Sequence, residues 1–70
     1  MEEHDFLLNN EYIELYKLLK LLGICESGAT AKMDIEGGFV TVDGTIETRK
    51  RCKIRKGQKV QVDDVTINVL

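Results

Sequence analysis

Seventy residues, 43% of them apolar and with a formal net charge of −2, are enough for one globular domain with a thin core. That size argues against a multi-part enzyme, since a cofactor domain and a substrate domain do not fit side by side. The charge is bipolar: positions 1–48 hold ten acids and three bases, positions 49–59 hold seven bases and no acid, and positions 60–70 hold two acids.

The acidic start, Glu2, Glu3 and Asp5, lacks the positive region of a signal peptide, so a cytoplasmic setting with reduced Cys25 and Cys52 is expected. Leu18–Cys25 is the longest apolar stretch; Lys20 interrupts it and it is too short to cross a bilayer, so no membrane partner is expected. Asp5–Leu8 reads as a short strand, Asn9-Asn10 as a turn, and Tyr12-Ile13 as an arm returning beside the strand. Glu14–Leu22 reads as a helix, because Leu15, Leu18, Leu19 and Leu22 recur at i, i+3, i+4 and i+7 on one face. Tyr16 and Leu21 widen that arc, which predicts packing on more than one flank, and Gly23 supplies a left-handed stop.

Ser27 reads as the N-cap of a second helix ending near Glu36, with Gly37-Gly38 as its terminator. Gly28, Ala31 and Ile35 share one face and let a neighbour approach closely, while Lys32 is expected to reach Glu36. Val40 and Val42 then alternate with Phe39 and Thr41, Asp43-Gly44 forms a tight hairpin turn, and Ile46 opens the return strand. Cys52 and Ile54 point inward between Arg51, Lys53 and Arg55; Lys56-Gly57 turns the chain into Val60 and Val62. Asp63-Asp64 is a second turn, and Val65, Ile67 and Val69 close the sheet. The fold class is α+β, two packed helices followed by a small antiparallel or mixed β-sheet, over one domain spanning residues 1–70.

The run Arg49-Lys50-Arg51-Cys52-Lys53-Ile54-Arg55-Lys56 carries the chemistry. Each phosphate such a cluster neutralises releases condensed counterions, an entropic gain that does not depend on base sequence. Cys52 and Ile54 interrupt the charges at strand spacing, which anchors the segment and holds its cations outward. A solvated basic loop and a site for an acidic protein are the two competing readings of the same run.

No other constellation reaches that level. The glycines match no phosphate-cradling loop, His4 lies in a terminus expected to be mobile and has no nucleophile at motif spacing, and two distant cysteines make no zinc site. Tyr12, Tyr16, Phe6 and Phe39 are scattered along the chain without the pattern of a base-stacking platform. No catalytic residue, metal or cofactor is expected.

Ser27-Gly28-Ala29-Thr30-Ala31-Lys32, then Ile35, then Gly38-Phe39-Val40-Thr41-Val42-Asp43-Gly44 resemble the alpha-L RNA-binding domain named after small-subunit ribosomal protein S-four. Gly57-Gln58-Lys59-Val60 resembles that family's closing strand entry, and Glu47–Ile54 is similar to its stand-alone bacterial YbcJ-like branch. The resemblance covers about residues 13–62 and implies binding of structured RNA by the second helix and the loop after the hairpin. It assigns contacts to Ser27, Gly28 and Lys32 on the helix and to Arg49, Lys50, Arg51 and Lys53 on the loop; the basic run adds Arg55 and Lys56. Family members often carry Arg after the capping Ser, so Gly28 removes one phosphate contact while its backbone N–H stays at a helix N-terminus.

The expectation is a non-enzymatic, monomeric RNA-binding module that reads shape and phosphates, with RNA preferred to DNA as partner. Docking of an acidic protein is the alternative. A ubiquitin-like sulfur carrier is set aside because the sequence closes on Asn68-Val69-Leu70 instead of a Gly-Gly tail.

Overall fold

The structure, a computed structural model, describes residues 2–70. Its elements are β1 (Glu2–Phe6), β2 (Ile13–Glu14), α1 (Leu15–Leu21), α2 (Gly28–Glu36), β3 (Val40–Val42), β4 (Thr45–Ile46), β5 (Lys53–Ile54), β6 (Lys59–Val62) and β7 (Val65–Val69). Two helices and a mixed sheet make an α+β fold, as the patterning predicts.

The helices begin and end where local chemistry directs. The Ser27 hydroxyl accepts from the Thr30 N–H at 3.2 Å, satisfying one of the free donors of the first turn of α2. Gly37 caps the other end, and Gly38 takes φ +84° to turn the chain into β3. Between β3 and β4, Asp43 and Gly44 both hold positive φ (52° and 85°), the geometry that lets a two-residue turn follow strand twist. Asp43 also accepts from the Lys59 N–H at 2.9 Å, which ties this turn to β6.

Strand order in the main sheet is β1-β7-β6-β3-β4, and every pairing is antiparallel except β1 with β7. β2 and β5 form a separate antiparallel ribbon with Ile13 opposite Ile54. The expected return of Tyr12-Ile13 beside the first strand is therefore incorrect. β1 joins β7 in parallel, and β2 finds its partner forty residues away, because both pairings follow the burial of Phe6, Ile13 and Ile54 and no local turn sets them. His4, expected in a mobile terminus, sits in β1 opposite Ile67 and 3.0 Å from Glu2.

One apolar cluster holds the layers together. Leu15, Leu18 and Leu19 of α1 and Ala31 and Ile35 of α2 meet Val40, Val60, Val62, Ile67 and Val69 of the sheet. Burying each of the larger side chains contributes about 1.5–3 kcal/mol before the entropy of ordering is charged against it. Leu21 departs from expectation: it is 65% exposed, so α1 packs on its Leu15/Leu18/Leu19 face while Leu21 stays in water.

Candidate nucleic-acid interface

α1 is short, and its first turn is closed by the basic segment. The Leu15 N–H donates to the Cys52 carbonyl at 2.9 Å and the Tyr16 N–H to the Lys50 carbonyl at 3.1 Å. Those are two of the donors that a helix start leaves unpaired, so residues 50–52 act as a backbone cap. The β2–β5 ribbon continues the attachment, pairing Ile13 with Ile54 and Glu14 with Lys53. Ile54 is fully buried and Cys52 half-buried, while Arg51, Lys53, Arg55 and Lys56 are exposed. The alternation read from the sequence is the one observed.

α2 lies against the same region through Tyr16. A Cβ placed on Gly28 would sit 3.7 Å from the Tyr16 ring, ordinary contact distance, and Lys32 Nζ lies 4.7 Å from the ring centroid. Lys32 was expected to pair with Glu36. It rests on Tyr16 instead, and Glu36 reaches Lys50 Nζ at 3.5 Å. The exchange has a simple cause: the aromatic face beside Lys32 is available at short range, whereas Lys50 is delivered beside Glu36 by its backbone bond to Tyr16. Gly28, Lys32 and Glu36 thus form a line along α2 that meets Tyr16 and then the basic segment. The Gly28 and Ala29 N–H groups have no protein acceptor among the described residues.

The cations differ in how they are held. Arg49 donates to Glu47 from its backbone N–H (3.0 Å), Nε (2.9 Å) and Nη2 (3.1 Å), a bidentate pair closed by a main-chain bond. The Glu47 side chain is 16% exposed, and these bonds lower its pKa to about 2; Arg49 is raised in return. Lys50 pairs with the open Glu36, and Arg51 Nε is 3.8 Å from Glu14, which also holds Lys17 at 3.1 Å. Lys53, Arg55 and Lys56 meet no carboxylate among the described residues. Lys53 Nζ lies 4.9 Å, and the Arg55 guanidinium carbon 5.9 Å, from the Tyr12 ring centroid.

Exposed ion pairs contribute about 0–1 kcal/mol each, so Lys50 and Arg51 can exchange a carboxylate for a phosphate at small expense. Arg49 is the exception, because its fork is occupied. Arg49, Arg51, Cys52 and Lys53 line a shallow groove. Burial, then a hydrogen bond to Glu47, raises the Cys52 thiol pKa; burial and the Asp34 carboxylate push Cys25 to about 11. Both thiols are free and neutral near pH 7.

Of the nine residues singled out from the sequence, Gly28 and Lys32 meet the Tyr16 ring, the Lys50 carbonyl meets the Tyr16 N–H, Ser27 caps α2, Arg49 is held by Glu47, and Arg51, Lys53, Arg55 and Lys56 follow along the exposed segment. Sequence reasoning missed Tyr12, Tyr16, Glu14, Glu36 and Glu47. The tyrosines are scattered along the chain, but each carries cations in the fold, and only the β2–β5 pairing reveals Tyr12 opposite Arg55. Among the described residues there is no group of metal-binding side chains, and no helix is long and apolar enough to cross a membrane.

The S4 domain pattern matches residues 6–70. The YbcJ proteins of Escherichia coli (strain K12) and Shigella flexneri are each 52% identical over 59 residues, 84% of both chains compared. The solution structure of E. coli YbcJ, described as revealing an alpha-L motif involved in RNA-binding, superposes with a TM-score of 0.73 at 49% identity, covering 94% of this chain and 85% of that one.

Proposed function

The chain belongs to the S4 domain family, in its YbcJ-like branch, and on that premise we propose that it is a non-enzymatic RNA-binding module of the cytoplasm, one domain over residues 1–70. It grips structured RNA through phosphates and helical shape, using Ser27, Gly28 and Lys32 on α2 and Lys50, Arg51, Lys53, Arg55 and Lys56 on the basic segment, with Arg49 joining through the Nη1 that its Glu47 pair leaves open. One observation supports the reading: the Tyr16 ring lies against Gly28 and Lys32 of α2 while the Tyr16 N–H donates to the Lys50 carbonyl, so one residue links α2 to the basic segment. A-form RNA hides its major groove and displays phosphates and 2′-hydroxyls across a wide minor groove, which a rigid cationic face of this kind can follow. The free N–H groups at the start of α2 add donors suited to a phosphate oxygen.

The test is a salt series. Contact with about four to six phosphates gives a log–log slope of affinity on salt of about −3 to −5. Replacing Arg49, Lys50, Arg51 and Lys53 with Gln flattens that slope and leaves the circular-dichroism spectrum unchanged. A quadruple variant that binds a structured RNA as tightly as the parent at every salt concentration removes the site from this segment. Docking to an acidic protein shows itself differently, as a partner retained after nuclease treatment.

A further inference from the structure

Aromatic rings in small domains are normally core, and Tyr16 follows that rule by packing against the apolar cluster. Tyr12 does not. It is 38% exposed, contributes nothing to the cluster, and has Lys53 and Arg55 as its close partners. The β2–β5 ribbon accounts for this: Ile13 and Ile54 point into the core as an opposed pair, which sends Tyr12, Lys53 and Arg55 to the outer face together. Beside the ring is an open concavity lined by Asn10, Glu11, Tyr12, Ile13, Glu14 and Lys17.

We infer that Tyr12 stacks an unpaired nucleobase, so that the preferred ligand is an RNA helix interrupted by a bulged or looped-out nucleotide. The inference rests on the RNA-binding reading above and narrows its ligand. Charge decides what each part of the surface admits. In the concavity Lys17 is held by Glu14 at 3.1 Å and Glu11 repels phosphate but not a neutral base, whereas Lys53 and Arg55, two residues apart on the same face, suit the phosphates on either side of that base. Cations resting on the ring exchange it for phosphate oxygens, and the ring face they leave takes the base. A duplex without an unpaired nucleotide offers phosphates to the cations but nothing to the ring.

The probes are an RNA stem-loop with a continuous stem and the same stem carrying one bulged nucleotide, compared at fixed salt. Base–aromatic stacking is strong enough to favour the bulged form by about tenfold. Tyr12→Phe keeps that preference, and Tyr12→Leu abolishes it by losing far more affinity for the bulged RNA than for the continuous stem. Equal weakening toward both RNAs in Tyr12→Leu would mean that the ring merely supports the ribbon, and it overturns the inference. So does a parent protein that binds both RNAs equally, a result that leaves the broader RNA-binding reading standing. Failure of the parent to bind either RNA overturns both.

Discussion

Glu47 shows how one side chain can organise a loop made of like charges. Seven cations within eleven positions repel one another, yet residues 47–52 fold back because one carboxylate takes three hydrogen bonds from Arg49 and the Cys52 N–H donates to the Arg49 carbonyl at 3.1 Å. Its pKa of about 2 lies below the ordinary 4.5, so the folded state favours the ionised form. The sign follows from linkage: order supplied by a depressed carboxyl is fully present above about 4.5 and is lost as pH falls through about 2. An NMR pH titration therefore leaves the Arg49 amide and Nε–H resonances steady from pH 7 to about 3.5 and moves them below that, whereas Glu47→Gln shows the released positions already at pH 7. Movement of the Arg49 signals with a midpoint near 4.5 in the parent would show that the pair is absent in solution.

Among the elements, α2 was the most legible and the β2–β5 ribbon the least. Ser27, Gly37 and the Asp43-Gly44 turn act on neighbours within four residues, and the chain places them where local chemistry directs. The pairing of β1 with β7 and of β2 with β5 depends on which apolar side chains the finished core has room for, information spread over sixty positions. Lys32 and Glu36 were paired in the sequence reading by helix spacing alone, and tertiary neighbours on both sides redirected them. The family resemblance supplied seven of the nine candidate residues and the basic run the other two; neither points to Tyr12 or Glu47, whose contacts depend on the β2–β5 pairing and on the fold-back of Arg49. The start of α2 carries the sharpest element-scale prediction. A side chain at Gly28 meets the Tyr16 ring at ordinary contact distance, so Gly28→Arg is accommodated, restores the cation common in the family, and raises helix propensity. RNA affinity rises and the salt slope steepens by about 0.7–0.9, one phosphate's worth, with an unchanged or higher melting temperature. An unaltered slope in that variant would place the start of α2 outside the interface.

At the scale of the whole molecule, Glu14, Glu36 and Glu47 lie beside the basic segment, whereas another group of acids is set apart from it. β6 runs from Lys59 to Val62 and then into the Asp63-Asp64 turn, where the Glu2 N–H donates to the Asp64 carbonyl at 2.9 Å. Glu2, Glu3, Asp63 and Asp64 therefore gather at one end of the β1–β7–β6 strands, and Gly57, bound to the Val69 carbonyl at 2.8 Å, brings the basic segment to the other. The four steps from Lys59 to Asp63 span about 14 Å at strand rise, longer than the Debye length of about 10 Å in 0.1 M salt. A polyanion approaching at low salt thus feels attraction at one end and repulsion at the other, which turns the molecule during encounter while the net charge stays near neutral. Long-range charge acts on the rate of meeting more than on the rate of parting. Substituting Glu2→Gln, Glu3→Gln, Asp63→Asn and Asp64→Asn, with Asn chosen at 63 because it tolerates the φ of 52° there, raises the association rate several-fold at low salt. The dissociation rate stays within about twofold, and the difference in association fades as salt rises toward 0.5 M, which stopped-flow mixing at several ionic strengths resolves. An effect confined to dissociation would mean that the acidic end touches the bound RNA, and the two charged ends would then belong to one contact surface.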